Sequence, residues 1–205
     1  RITKADGTVV EIAYDADGNR VQTRVTPATG PPTVTSYAVD ASGPLSHVVA
    51  ETDGAGGLQA VYVRAQDELL AVLRGTGVRF YHADGVGSIR WLTDETGAVT
   101  DRYTYSAFGD RIEHVGSDPQ PYAFAGEPYD PNVGMQQHRA RWMDPRLGRF
   151  ASVDPLDPRV GAYYDPPELH RYRYAADDPV DRTDPSGLQS MGEVSVSLDV
   201  SATLN

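Results

Sequence analysis

Across residues 1–115, apolar and polar residues alternate in short runs, as in Thr8-Val9-Val10-Glu11-Ile12-Ala13-Tyr14 and Val99-Thr100-Asp101-Arg102-Tyr103-Thr104-Tyr105. A period of two, carried by β-branched and aromatic residues, gives one dry and one wet face, so each run predicts a half-buried strand. Turn signals separate the runs at Asp6-Gly7, Asp17-Gly18-Asn19, Asp53-Gly54, Asp84-Gly85, Thr96-Gly97 and Phe108-Gly109-Asp110. Glycine after Asp supplies the positive φ of a tight reversal. The expectation is a string of antiparallel hairpins. Gln66–Arg74 fits either a helix or a strand pair, and Gly75 and Gly77 directly after it favour strand.

A repeat is visible within this pattern. Gly7 to Arg20 carries Gly, a short alternating run, Tyr14, then Gly18-Asn19-Arg20; Gly97 to Arg111 carries the same order with Tyr103, Tyr105 and Gly109-Asp110-Arg111. In stacked hairpins such a tyrosine lies across the neighbouring strand with its hydroxyl in water, while the glycine makes the reversal. Chance similarity between two hairpins is the competing reading. After Asp118 the texture changes: eight Asp-Pro pairs begin at Asp118, Asp130, Asp144, Asp154, Asp157, Asp165, Asp178 and Asp184. Proline fixes its own φ and holds the preceding Asp extended, so each pair starts a turn. A compact, turn-rich cap is expected there in place of further long strands.

Composition narrows the function. Gly and Pro account for 35 of 205 residues, above the usual ~12% yet short of a disordered composition. The absence of cysteine excludes disulfides, thiol catalysis and Cys-ligated zinc. A formal charge of -11 opposes binding to a phosphate backbone or an anionic membrane. Neither a nucleic-acid partner nor insertion of this segment into a membrane is expected. Arg1–Gly7 lacks the succession of a signal peptide, and the chain starts within a strand pattern, as a piece of a longer polypeptide would. His47, His82, His114, His138 and His170 show no metal-ligand spacing, and no serine sits in a nucleophile elbow, so no metal or cofactor is expected. Tyr163-Tyr164 and His170-Arg-Tyr-Arg-Tyr174 mix aromatic and basic character; packing on the sheet is preferred for them over single-strand nucleic-acid binding.

Tyr81-His-Ala-Asp-Gly-Val-Gly-Ser-Ile-Arg-Trp-Leu-Thr-Asp-Glu-Thr-Gly97 followed by Tyr103-Thr-Tyr105-Ser-Ala-Phe-Gly109 resembles the YD-repeat signature of Rhs proteins. Phe124 to Asp130, Arg139-Ala-Arg-Trp-Met-Asp-Pro-Arg-Leu-Gly-Arg-Phe150 and Asp177 to Leu188 resemble the Rhs-associated core that closes such arrays. The family includes bacterial polymorphic toxins, C components of insecticidal toxin complexes and, more distantly, teneurins. The resemblance implies a mainly β fold: a YD-repeat hairpin segment over 1–115, part of a spiral shell, then a core cap over 116–188 and the start of a variable C-terminal segment over 189–205. It also implies a longer bacterial protein, secreted or at the cell surface. The partners would be its own upstream shell and an enclosed C-terminal effector.

Toxin members cut their own chain after an Asp-Pro-x-Gly-Leu motif. By resemblance, Asp154 and Asp184 match the paired aspartates, and Leu188-Gln189 matches the bond. Hydrolysis by two carboxylates needs one as base for water and one protonated toward the carbonyl, a division that like-charge repulsion produces. Arg149 is a candidate stabiliser of the developing oxyanion, although pairing with a turn carboxylate accounts for it more simply. Two departures from the family pattern bear on the assignment. Asp157–Glu168 reads as an insertion between the aspartates, which loop-closure entropy tolerates. Asp177-Asp178 stands where Asn-Asn is common, adding two candidate carboxylates.

Only 17 residues follow Leu188, and Gly192 to Leu204 alternates like one strand, which is too short for a toxin domain. Two rivals stand beside self-cleavage: a noncatalytic secreted or wall-associated YD-repeat scaffold, and a carbohydrate-binding β module.

Overall fold

A computed structural model describes residues 1–155, 170–188 and 190–192. The strip is one antiparallel sheet of eleven strands, each paired with its sequence neighbours. They are β1 (Ile2–Thr3), β2 (Val9–Tyr14), β3 (Arg20–Thr26), β4 (Thr33–Asp40), β5 (His47–Asp53), β6 (Leu58–Ala65), β7 (Glu68–Arg74), β8 (Gly77–Ala83), β9 (Ile89–Thr93), β10 (Val99–Tyr105) and β11 (Arg111–Val115). The ambiguous stretch before Gly75 is strand: Gln66 takes a positive φ of 54° in a tight turn, and β7 follows.

The turns share one device. Asp15, Asp53, Asp84 and Asp94 each accept hydrogen bonds from the backbone N–H groups two and four residues on. The residue three on is a glycine with φ between 83° and 85°, namely Gly18, Gly56, Gly87 and Gly97. Thus at Asp53 and Asp84 the left-handed residue is not the adjacent Gly54 or Gly85 expected from the dipeptide. The aspartate side chain satisfies amides inside the loop, which lets a longer reversal replace a two-residue one.

The repeat is structural as well. Tyr14 pairs with Arg20 and Tyr105 with Arg111, each just after a register shift, at Ala13/Tyr14 and Thr104/Tyr105. The expected wet hydroxyls do not hold for Tyr103 and Tyr105, whose hydroxyl oxygens are buried beneath the cap.

One face of the strip is dry because register aligns its apolar positions: Tyr62 opposite Val72, and Tyr81 opposite Leu92. Ala60, Tyr62, Val72, Tyr81, Ile89, Leu92 and Tyr103 form this core, and Tyr122 of the following segment packs edge-on against Tyr62 at 5.0 Å and Tyr81 at 6.3 Å. Past Val115 the described strands are two to four residues long, as the Asp-Pro density requires. β12 (Tyr129–Asp130), β13 (Met135–His138), β14 (Arg141–Asp144) and β15 (Arg149–Phe150) form a four-stranded meander. β16 (Arg182–Thr183) and β17 (Met191–Gly192) form a separate pair. A second core of Phe124, Met143, Phe150, Tyr174 and Ala175 fills the cap.

Cap and strip are joined by polar ties. Arg20 of β3 makes a buried ion pair with Asp130 at 3.1 Å, and its guanidinium stacks on Tyr37 at 4.5 Å. Trp142 donates its indole N–H to the Tyr14 hydroxyl at 3.0 Å. Gly109 sets another close approach: with φ of 87°, a Cβ there would lie 2.5 Å from Cγ of Phe124. Gly109→Ala is expected to cost about 2–4 kcal/mol from left-handed strain plus overpacking, read as a lower midpoint in chemical denaturation.

Candidate active site

The turn Asp184-Pro-Ser-Gly-Leu188 is held residue by residue by the link between β13 and β14. His138 donates from Nδ1 to the carbonyl of Asp184 at 2.8 Å. Arg139 donates from Nη1 to the carbonyl of Pro185. The Ala140 amide donates to the carbonyl of Ser186 at 3.2 Å, and Arg141 donates from Nε to the carbonyl of Gly187. Four consecutive carbonyls therefore meet four consecutive donors. Buried carbonyls need partners, and this correspondence supplies them while fixing the register of the turn.

Gly187 is required by the same contact. Its φ is 70°, and a Cβ would lie 2.2 Å from the His138 carbonyl oxygen. Inside the turn, Asp184 repeats the hairpin device of the strip: Oδ1 accepts the Leu188 amide at 3.1 Å and the Ser186 hydroxyl at 3.2 Å.

Asp154 and Asp184, 30 residues apart in sequence, converge on Arg141. Its Nη2 lies 2.9 Å from Oδ2 of Asp154 and 3.3 Å from Oδ2 of Asp184. The Arg141 and Asp184 side chains are 3% and 2% exposed, whereas Asp154 keeps 21%. The guanidinium also lies 3.7 Å above the Phe150 ring centroid and donates from Nη1 to the Arg171 carbonyl at 3.2 Å. Arg171 completes a staple on Asp154, accepting its amide at 2.9 Å and donating to its carbonyl at 2.6 Å. Burial pulls the Arg141 guanidinium below its ordinary range, and Asp154 and Asp184 oppose that shift. The positive charge offsets the repulsion that would otherwise act between two neighbouring carboxylates.

Beneath the turn, His138 is fully buried between the rings of Phe150 and Tyr174, at 5.7 and 5.1 Å. Burial lowers its pKa to about 4, with Arg139 and Arg141 adding to the effect. Arg139, with a positive φ of 44°, reaches the carbonyl of Ser46 on the strip at 2.9 Å and pairs with the buried Glu127 at 2.8 Å. An open cleft of about 700 Å³, lined in part by Tyr14, Leu45, Arg139, Trp142, Ser186 and Leu188, gives solvent access beside the turn.

The other sequence candidates lie differently. Arg149 is about half exposed and pairs with Asp177 at 3.3 Å. Asp178 lies 4.0 Å from Arg182. Gln189 and the insertion at 157–168 fall outside the described residues. Arg141 was not singled out from sequence, although it belongs to the Arg139-Ala-Arg motif; no spacing rule links it to aspartates 13 and 43 residues downstream. Among the described residues there is no cluster of metal-ligand type and no helix long and apolar enough to span a membrane.

The hairpin strip and the cap as far as residue 180 are matched by the family described as the teneurin YD-shell, over residues 1–180; the Asp184–Leu188 turn lies just past the matched span. The chain belongs to this YD-shell family. The tRNA3(Ser)-specific nuclease WapA of Bacillus spizizenii is 32% identical over 178 residues, covering 85% of this chain and 7% of that protein. Double-stranded DNA deaminase toxin A of Burkholderia cenocepacia is 32% identical over 161 residues, covering 76% of this chain and 10% of the relative. The crystal structure of TcdB2-TccC3-TEV superposes with a TM-score of 0.68 at 17% identity, covering 92% of this chain and 9% of that one, and shows the shared fold. This YD-shell segment thus spans a tenth or less of the length of these proteins.

Two tests follow from the grip. Gly187→Ala forces a side chain into the His138 carbonyl, so a loss of about 2–4 kcal/mol in denaturant unfolding is expected. His138 has a folded pKa of about 4 against 6.5 unfolded, so the unfolded chain takes up the extra proton. Its contribution to stability is complete above pH 6.5, is lost as pH falls toward 4, and amounts to about 3 kcal/mol over that interval. Titration of the His138 ring by NMR should show it neutral down to about pH 5.

Proposed function

We propose that this YD-shell segment closes a β shell around a C-terminal effector and releases that effector by intramolecular cleavage after Leu188. The observation that carries the reading is the convergence of Asp154 and Asp184 on Arg141 beside a turn whose four carbonyls are gripped up to Gly187. In the reaction, water adds to the Leu188 carbonyl carbon as one carboxylate takes its proton. The carbon–nitrogen bond then breaks, and the Gln189 nitrogen leaves with a proton returned to it. The products are a Leu188 carboxylate and a free amine at Gln189. Asp154, the more exposed carboxylate, serves as base for the attacking water; Asp184 stands on the substrate turn. Arg141 takes the charge-stabilising role considered for Arg149, because it touches both carboxylates. A single turnover suffices, and tethering the bond to its own site supplies much of the rate advantage. The whole polypeptide is a secreted or surface-associated bacterial protein in this reading, and this segment engages neither nucleic acid nor membrane.

A second reading is favoured by the turn itself. Asp184 binds the amide four residues on, as Asp15, Asp53, Asp84 and Asp94 do in plain hairpins. A noncatalytic scaffold needs no more than that. Intact mass spectrometry of the chain carrying a tag after Asn205 separates the two. Self-cleavage predicts a product ending at Leu188 in the parent and in Arg149→Ala, with full-length mass in Asp154→Asn, Asp184→Asn and Arg141→Gln. Full-length mass in a folded parent, checked by circular dichroism, favours the scaffold.

A further inference from the structure

Where the cap sits on the strip, Arg20 of β3, Arg64 of β6 and Arg139 of the link between β13 and β14 line one cavity of about 40 Å³, together with His47, Glu127 and Gln137. That volume exceeds the ~10–15 Å³ that a single water needs. Arg20 is 6% exposed. Its Nη1 meets Asp130 at 3.1 Å, yet its Nε has no hydrogen-bond partner. Arg139 pairs with Glu127 at 2.8 Å. Arg64 differs from both. Its Nη1 donates to the Asp67 carbonyl at 2.9 Å and its guanidinium lies over the Tyr122 ring at 4.9 Å. Its buried Nε also has no partner, and among the described residues no carboxylate forms an ion pair with it. His47 registers the same excess of positive charge. A guanidinium only donates, so the 3.3 Å contact with Nη2 of Arg139 makes Nδ1 the acceptor, and Nε2 donates to Asp67 at 2.8 Å. Burial, together with Arg64 and Arg139, pushes the His47 pKa down against the opposing bond to Asp67.

We propose that this cavity is a binding site for one small monovalent anion of the halide class, held by the Nε–H groups of Arg20 and Arg64. Charge sets the valence. Asp130 and Glu127 answer Arg20 and Arg139, which leaves one positive charge, that of Arg64, uncompensated. A divalent oxyanion overshoots that charge beside the Glu127 carboxylate. Chemistry sets the class: buried N–H donors without acceptors are costly, and a stranded charge is more so. A halide accepts from several donors at once and supplies the missing charge, whereas water supplies only the acceptor. The three arginines come from two strands of the strip and one link of the cap, so an ion among them relieves their mutual repulsion only when cap and strip are together. Occupancy therefore strengthens the docking of the cap by mass action. This site stands apart from Asp154 and Asp184, and the inference does not depend on cleavage at Leu188.

The test is the thermal midpoint of the full chain as gluconate is exchanged for chloride at constant ionic strength, which holds general screening fixed. The parental midpoint is expected to climb with chloride along a binding curve, by about 3–6 °C at ten times the dissociation constant. Arg64→Gln removes the uncompensated charge and is expected to lose that rise. Gln137→Glu supplies a carboxylate from the cavity wall in place of the ion; it is expected to reach at least the parental midpoint in gluconate and to be indifferent to chloride. Arg24→Gln, at an exposed arginine of β3, is expected to follow the parent. A parent indifferent to the exchange overturns the proposal and leaves the cavity to water. A rise retained in Arg64→Gln or in Gln137→Glu overturns it as well, as does loss of the rise in Arg24→Gln, because the ion would then act elsewhere. Should Arg64→Gln fail to fold, Gln137→Glu decides.

Discussion

The four-to-four correspondence between His138–Arg141 and the carbonyls of Asp184–Gly187 is the constraint on which the cap depends. Main-chain carbonyls taken out of water must find donors, and here one short link supplies all four in order. Two donors are side-chain groups of arginines that also bind elsewhere. Arg139 reaches Ser46 of the strip and Glu127; Arg141 reaches Asp154, Asp184 and the carbonyl of Arg171. Gripping the turn therefore also seats the cap on the strip and assembles the carboxylates.

An acidic chain that draws Arg20 and Arg139 into the boundary between cap and strip, and Arg141 into the cap itself, has placed its scarcer charge where it decides geometry. Arg20 with Asp130, Arg139 with Glu127 and Arg141 with two aspartates are shielded or partly shielded pairs. Such pairs add little net stability over well-packed apolar groups, but breaking one leaves a charge stranded. They reject misregistered docking of the cap more than they tighten the correct one. The apolar contribution comes from Tyr122 and Phe124, which carry the cap onto the tyrosine-lined face of the strip.

The same aspartate turn serves two ends. In the strip it reverses the chain between strands with the carboxylate in solvent. At Asp184 the local bonds are retained, but the carboxylate is buried and its second oxygen faces Arg141 and, across it, Asp154. A structural device becomes a candidate catalytic one through its surroundings alone.

Resemblance to a family singled out Asp154 and Asp184; the sequence by itself determined the hairpin strip, the change to short elements after Asp118 and the correspondence of the two tyrosine units. Each is written within a few residues: alternation fixes which face is dry, Asp and Gly fix reversals, and proline limits strand length. The exact seat of the left-handed residue was less legible, since Asp53 and Asp84 are followed directly by glycines that the turn does not use. The tertiary structure alone decided that Arg141 stands between the aspartates while Arg149 pairs with Asp177, and that His138 supports the turn from below. Two arginines eight residues apart in a meander carry the same charge and similar neighbours in sequence. Which one faces the buried carboxylates depends on strand pairing and on the docking of β14 against the Asp184 turn, contacts spanning more than 40 residues that no local pattern encodes.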